Sequence, residues 1–322
     1  MRQTPLKLQL KSRVSDDAMK ERRGTGISRD DMVVQLHGDT DVFLPNGQML
    51  CGLRRNAVSK AVRDEAVEQF KWMKTKFTTD NRGSYSGYDT VGNGDLHKEA
   101  RENGTRLVRQ DGRMSRQTRT LNSAGRIVNV SSAIIGFYDR TGRFPYARKT
   151  AFTQNHPDRW AHVVPLVQEV SRFFEQELPA RFAVQKAFVD QQQPEYTIPG
   201  TVFSTMTVNN NVCGTVHKDA GDFKDGMGVI GCFREGSFTG GQLVFPQYKV
   251  FVDFEDSDIL FFNPHEWHGV NPMQHVDPAN EGMRVTVVYY YRRKLSECGS
   301  IEQELERARN RFGAIEETVD DE

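Results

Sequence analysis

The apolar positions of the chain fall into two regimes. Between Arg55 and Phe77, the residues Val58, Val62, Ala66, Phe70, Met73 and Phe77 recur at three- and four-residue steps with charges between them. That spacing marks one face of an α-helix. A second helix is expected to start at Asn155-His-Pro-Asp158, where Pro157 suits a first turn. Its stripe would be Trp160, Val163, Val164, Val167, Val170, Phe173 and Phe174. From about residue 182 the period shortens. FAVQKAFV, TVFSTMTV, GMGVIGCF, QLVFP, KVFVDF, DILFFN and RVTVVYYY are short apolar or alternating runs set apart by Gly, Pro and Asp. Strands of this length and punctuation predict an antiparallel sandwich or barrel of jelly-roll type. IVNVSSAIIGFYD reads as a further strand ahead of the second helix, and residues 300–312 carry a charged helical pattern.

Four segments follow from this. Residues 1–30 are polar and basic and read as a poorly ordered arm. Residues 31–181 form a helical and loop extension, residues 182–298 the β-core, and residues 299–322 a short helix with an acidic tail. The fold class expected is α+β.

Charge narrows the choice of partners. The 322 residues hold 43 Lys and Arg against 43 Asp and Glu, so no global field favours nucleic acid or membrane, and any such partner must meet a local patch. One patch is the loop 101–126, where Arg101, Arg106, Arg109, Arg113, Arg116, Arg119 and Arg126 face only Glu102 and Asp111. The basic N-terminal arm is another. The N-terminus lacks the apolar centre of a signal peptide. No run approaches the roughly 20 apolar residues of a membrane helix. Cys51, Cys213, Cys232 and Cys298 form no CxxC pair, which reads as reduced thiols. A protein of the cytoplasm of a prokaryotic or phage-infected cell, or of a eukaryotic nucleus, is expected, not a secreted or membrane protein, and a monomer is the default.

The chemistry concentrates in the second half. In an extended segment, residues i and i+2 share a face, so His217 and Asp219 can reach one metal ion. The triplet alone carries little. About fifty residues on, DILFFNPHEWHGVNP brings His265 and His268, and sixteen residues later Arg284 opens RVTVVYYYR. Two histidines and a carboxylate make the facial triad of non-haem iron(II) oxygenases, which leaves positions open for cosubstrate and oxygen. An arginine on an adjacent strand supplies a bidentate partner for a carboxylate.

The order His217-Lys-Asp219, GGQLVFP over 240–246, HGVNP with His268, then Arg284-Val-Thr286 resembles the double-stranded β-helix 2-oxoglutarate dioxygenases over roughly residues 184–292. The resemblance favours His268 over His265 as the second histidine. It implies a jelly-roll or cupin-like core with the N-terminal extension packed on the sheet, Fe(II) on His217, Asp219 and His268, and 2-oxoglutarate on Arg284 with Thr286. DNRGSYSG over 80–87 and RKTAFT over 148–153 are similar to motifs of the TET/J-binding-protein group of DNA base dioxygenases, which adds Arg148 as a 2-oxoglutarate contact and Arg82 as a DNA contact. That group oxidises the 5-methyl of thymine or 5-methylcytosine in DNA, with O₂ as cosubstrate and the base flipped out of the duplex.

A flipped base needs a stacking face and polar partners. Tyr290 and Arg292 lie six and eight residues after Arg284 and share its parity in a regular strand. The resemblance gives Tyr290 the stacking role, Arg292 an edge contact, and Asp222 the place of a base-touching asparagine. Asp222 departs from the pattern; as an acceptor it does not decide between the two bases. Asn211 is a further candidate for the pocket, and Arg109, Arg113, Arg116 and Arg119 for DNA phosphates. Two other readings stand beside this one. One is a prolyl or small-molecule hydroxylase of the same fold, against which Arg284 and the N-terminal motifs speak. The other is an inactive module that binds modified DNA, against which the intact ligand set speaks.

Overall fold

A computed structural model describes residues 3–11, 14–79, 130–141, 144–219, 223–276 and 282–317. The strands of the first half are β1 (Leu6–Gln9), β2 (Val34–Leu36), β3 (Thr40–Phe43), β4 (Met49–Arg54), β5 (Ser132–Tyr138) and β6 (Arg148–Lys149). Those of the second half are β7 (Thr205–Asn210), β8 (Gly214–His217), β9 (Gly228–Glu235), β10 (Phe238–Thr239), β11 (Leu243–Phe245), β12 (Val250–Val252), β13 (Asp258–Phe262), β14 (His268–Val270), β15 (Gln274–His275) and β16 (Met283–Tyr290). The helices are α1 (Asp16–Glu21), α2 (Lys60–Lys76), α3 (Ala151–Asn155), α4 (Pro157–Glu177), α5 (Pro179–Val189) and α6 (Ile301–Glu317).

Two sheets make the double-stranded β-helix. The larger runs β1-β3-β4-β13-β9-β16-β7-β5-β6 and the smaller β2-β12-β11-β14-β8. Strand alternation divides the apolar residues between two cores. Ile259 and Phe261 of β13, with Val285, Val287 and Tyr289 of β16, face outward and pack under the helices with Phe70, Val167, Val170 and Phe174. Leu260 and Phe262 face inward and meet Leu243, Phe245, Val250 and Val252 of the smaller sheet. A strand buried on both faces reads as an unbroken apolar run, which is how DILFF and RVTVVYYY appear in sequence. The stripe of α4 works as expected, with Phe174 stacked on Phe261 at 5.5 Å between ring centroids.

Three expectations change. FAVQKAFV is not a strand but most of α5; Pro179 sits at its start, and Phe182, Gln185 and Val189 are buried at three- and four-residue steps. The extension 31–181 is not only helices and loops, because β2 to β6 join both sheets. Residues 3–30 are not a structureless arm. β1 pairs in parallel with β3, Met19 of α1 is fully buried, and Arg22 holds Asp31 at 2.6 Å. The charges there hide an apolar anchor: Leu10 is buried, and Leu8 packs half-buried beside it against the core between the sheets. The sheets are accordingly not purely antiparallel, since β2 also pairs in parallel with β12.

The C-terminal helix is fastened by one carboxylate. Glu304 is buried and accepts from the Arg140 guanidinium, from Ala147 N at 2.7 Å and from Gly299 N at 2.9 Å. Burial works against its charge, but Arg140 and the two backbone donors outweigh it and hold the carboxyl down at about 2. A depressed carboxyl stabilises the fold fully above its ordinary pKa of 4.5, and that contribution disappears as pH falls toward about 2. Glu304→Gln should loosen α6 at neutral pH and remove this acid dependence. Amide hydrogen exchange over 301–310 reads it, and unchanged protection in the variant would refute the fastening.

Candidate active site

The metal candidates meet across one antiparallel pairing. In the β8–β14 pair His217 stands directly opposite His268, and the chain leaving β8 returns Asp219 toward both rings. His217 Nε2 lies 3.7 Å from Asp219 Oδ1, and His268 Nε2 lies 3.6 Å from Asp219 Oδ2. The three ligand atoms fall within 4.8 Å of one another. Each imidazole is aimed from behind. His217 Nδ1 donates to Thr215 O at 2.6 Å and His268 Nδ1 to Glu266 O at 2.9 Å, both carbonyls two residues upstream. A ring whose Nδ1 proton is bound this way leaves its Nε2 lone pair for a metal. Burial, and then the neighbouring His217, pushes the His268 pKa below the ordinary imidazole value against the pull of Asp219. At neutral pH it is therefore an uncharged ligand.

His265 is not part of the cluster. Its Nδ1 lies 3.1 Å from the backbone oxygen of Asp219, so it buttresses the carboxylate residue without facing the other two.

Beside the triad lies a cavity of about 340 Å³ between the sheets. Arg284, Thr286, Val288 and Tyr290 of β16 all line it, as their shared parity requires, and Arg292 follows at its edge. At one end Arg284 is buried, with Nε and Nη1 lacking any hydrogen-bond partner among the described residues. Burial lowers its pKa, and the Phe254 ring lies 5.9 Å from the guanidinium. Gly241, at φ +72°, makes room for it: a Cβ there would come within 2.9 Å of Arg284 Cδ. Leu243, Ile230, Phe262, Val270 and Val288 make the walls apolar. A buried cation with orphaned donors is costly unless an anion completes it. A metal triad at one side and an unpaired guanidinium beneath, in an apolar sleeve, fit a small dicarboxylate that chelates the metal with one end.

The other end is polar and aromatic. Tyr290 Oη pairs with Thr207 Oγ1 at 3.1 Å. The Arg292 guanidinium lies 3.9 Å over the Tyr138 ring, with its Nε on buried Asp139 at 2.7 Å. Burial opposes the charge of Arg292, but Asp139 prevails and raises its pKa. Tyr138 and Ile134 come from β5 and escaped the sequence analysis as site residues. The signal was present: alternation in SAIIGFY puts residues 134, 136 and 138 on one face, opposite Thr207.

Two candidates sit elsewhere. Arg148 does not line the cavity; it packs 4.2 Å from Phe144 and 5.1 Å from Tyr138 and bonds Asp139 O at 3.3 Å, so it supports the wall from outside. Asn211 has its amide occupied, with Oδ1 accepting from Arg284 N at 2.8 Å and Nδ2 donating to Gly282 O at 3.0 Å. Its φ of +53° marks a turn that clips the start of β16 in place, and its side chain is not among those lining the cavity. Asp222, Arg82, Arg109, Arg113, Arg116 and Arg119 lie outside the described residues.

Comparison with known proteins gives the site a setting. The family model described as the oxygenase domain of the 2OGFeDO superfamily, Tet_JBP, matches residues 133–293. Thymine dioxygenase JBP1 of Crithidia fasciculata is 38% identical over 173 residues, which is 52% of this chain and 21% of that protein. JBP1-B of Trypanosoma cruzi is 35% identical over 185 residues, 55% of this chain and 22% of that protein. The aligned region thus spans about a fifth of these relatives. The solved structure of NgTET1 in complex with 5mC DNA superposes with a TM-score of 0.55 at 12% identity, over 92% of this chain and all of that one, a likeness of fold.

The orphaned guanidinium yields a paired prediction. Arg284→Met should stabilise the protein without 2-oxoglutarate, by about 1–2 kcal/mol, because an uncompensated buried charge is gone. It should also weaken 2-oxoglutarate binding by roughly 100-fold or more, the loss of two charge-assisted hydrogen bonds. Thermal melts of wild type and variant with and without 2-oxoglutarate test both. A variant that melts lower and still responds to the ligand contradicts the assignment.

Proposed function

The chain belongs to the Tet_JBP family of 2OGFeDO oxygenases, and from there we propose that it is an Fe(II)- and 2-oxoglutarate-dependent dioxygenase that oxidises the 5-methyl group of a methylpyrimidine in DNA. The observation that carries the reading is buried Arg284, its Nε and Nη1 without a partner among the described residues, at the foot of a cavity whose side holds the His217, Asp219 and His268 cluster. The relatives named thymine dioxygenase support DNA as the substrate class.

A methyl C–H bond yields neither to acid–base nor to nucleophilic attack; Fe(II) with 2-oxoglutarate and O₂ supplies the oxidising centre it needs. The residues arrange the rest. His217, Asp219 and His268 would hold the metal, with the Nδ1 hydrogen bonds fixing both rings. Arg284 and Thr286 hold the distal carboxylate of 2-oxoglutarate. Leu243, Ile230, Phe262 and Val288 keep water from the reacting atoms. A duplex base cannot reach this depth, so it must flip out. Tyr290, steadied by Thr207, offers a ring for stacking, and Arg292, turned by Asp139 and laid over Tyr138, offers donors to the pairing edge.

The test uses Fe(II), ascorbate, 2-oxoglutarate and two DNAs, one bearing 5-methylcytosine and one only normal thymine, with nucleosides read by mass spectrometry. One added oxygen on either base, absent without 2-oxoglutarate and abolished in His217→Ala, is the expected result. Steady succinate formation with no DNA product would keep the iron site and reject DNA as substrate. Tyr290→Ala should lower kcat/KM for DNA by about 10- to 100-fold, the worth of one base stack. Succinate formation without DNA should be unchanged in that variant.

A further inference from the structure

Next to the metal cluster, a segment outside the matched family region lies against both ligand-bearing strands. β8 is the edge of the smaller sheet. Residues 24–25 cover that edge, with Gly24 N donating to Val216 O at 2.9 Å and Val216 N to Thr25 O at 2.9 Å. Met19 of α1 is fully buried against Val216 and Trp267, with Val14 and Ile27 alongside. Ile27 also occupies the space over Gly269, where a Cβ would come within 2.9 Å of its Cδ1. Residues 14–27 therefore form a strap across the β8–β14 pair.

Asp16 gives this strap side-chain polar contacts to both ligand-bearing segments. Its Oδ1 accepts from Trp267 Nε1 at 2.8 Å and lies 3.4 Å from Lys218 Nζ, and the same ammonium sits 4.9 Å over the Trp267 ring. Lys218 stands between His217 and Asp219, and Trp267 immediately precedes His268. One carboxylate thus touches a side chain adjacent to each of the three ligands. The Trp267 contact matters more. The Trp267 ring is 5% exposed, so its N–H needs a partner, whereas Asp16 and Lys218 are half in water and their ion pair is weak.

We propose that Asp16 is a positioning residue for the metal centre: through Trp267 and Lys218 it locks the backbone that carries the triad, so that the N-terminal strap sets metal affinity. This rests on the reading of His217, Asp219 and His268 as ligands. Groups that orient ligands from behind typically govern about 10- to 100-fold in metal affinity. Asp16 acts one step further out.

The experiment is calorimetric titration of the full chain with Co(II), with the ligand-field absorption of bound Co(II) recorded alongside. Asp16→Ala should weaken Co(II) binding by about 10-fold and alter the absorption band. Asp16→Asn keeps an acceptor for Trp267 and should stay within about 3-fold of wild type. Trp267→Phe, which keeps the packing and removes the donor, should match Asp16→Ala, and the double variant should add little to either. Wild-type affinity and spectrum in both Asp16→Ala and Trp267→Phe overturn the positioning role, as does an Asp16→Asn variant as weak as Asp16→Ala. A wild-type protein that binds no Co(II) overturns the ligand assignment itself. Should Asp16→Ala fail to fold, Trp267→Phe decides alone.

Discussion

A guanidinium held out of water, with Nε and Nη1 unpartnered among the described residues, is the constraint around which this molecule is arranged. Arg284 could not stay buried with orphaned donors unless the sheets around it were stable for other reasons. They are. The strand that carries it presents Val285, Val287 and Tyr289 to the helices on its other face, in the largest core of the protein. β16 is paired on both sides, by β9 and β7, so neither end can move to let water reach the charge. Asn211 clips the strand at Arg284 itself. Apolar packing on one face thus sustains a costly polar arrangement on the other, the usual condition for a site that waits for its ligand.

The metal cluster follows a different logic. Its members are close because two short strands pair in one register, with His217 opposite His268. A slip of one residue would turn either ring to the far side of the sheet. Register in a short edge pair is weakly specified by the strands alone. Gly24 and Thr25 covering the edge, His265 holding the backbone of Asp219 and the two carbonyls behind the imidazoles supply what four residues of β8 cannot.

What the sequence disclosed, and what it did not, divides along the range of the interactions. Periodicity is local, so α2, α4 and the strands β7, β9, β11, β12, β13 and β16 were legible, as was the shared face of Arg284, Tyr290 and Arg292, whereas the two-residue strands β10 and β15 were too short to show. Residues 182–189 misled because Phe182, Val184 and Phe188 also fit a loose alternation, while the burial that decides, at Phe182, Gln185 and Val189, depends on the neighbouring helix and loop. The N-terminal segment was read by its charges, although Met19 and Ile27 find their partners some 200 residues away. Asn211 was drawn to the substrate by its place beside the metal strand, and only the turn geometry at φ +53° reveals that its amide serves the backbone.

The two ends of the cavity differ in how they are built, and that difference bears on specificity. The cofactor end comes from β8, β14 and β16, all within residues 214–290. The substrate end adds β5, nearly 80 residues upstream of β8, whose Tyr138 stacks under Arg292 and whose neighbour Asp139 turns it. Changes in β5 can therefore reshape that end of the cavity without disturbing the triad or Arg284. The same separation explains why the triad and Arg284 declared themselves as a compact motif, whereas Ile134 and Tyr138 joined the cavity wall only when the sheet placed β5 beside β7. In such a fold the metal cluster and its arginine are written in one stretch of chain, and the far wall of the cavity in the pairing of distant ones.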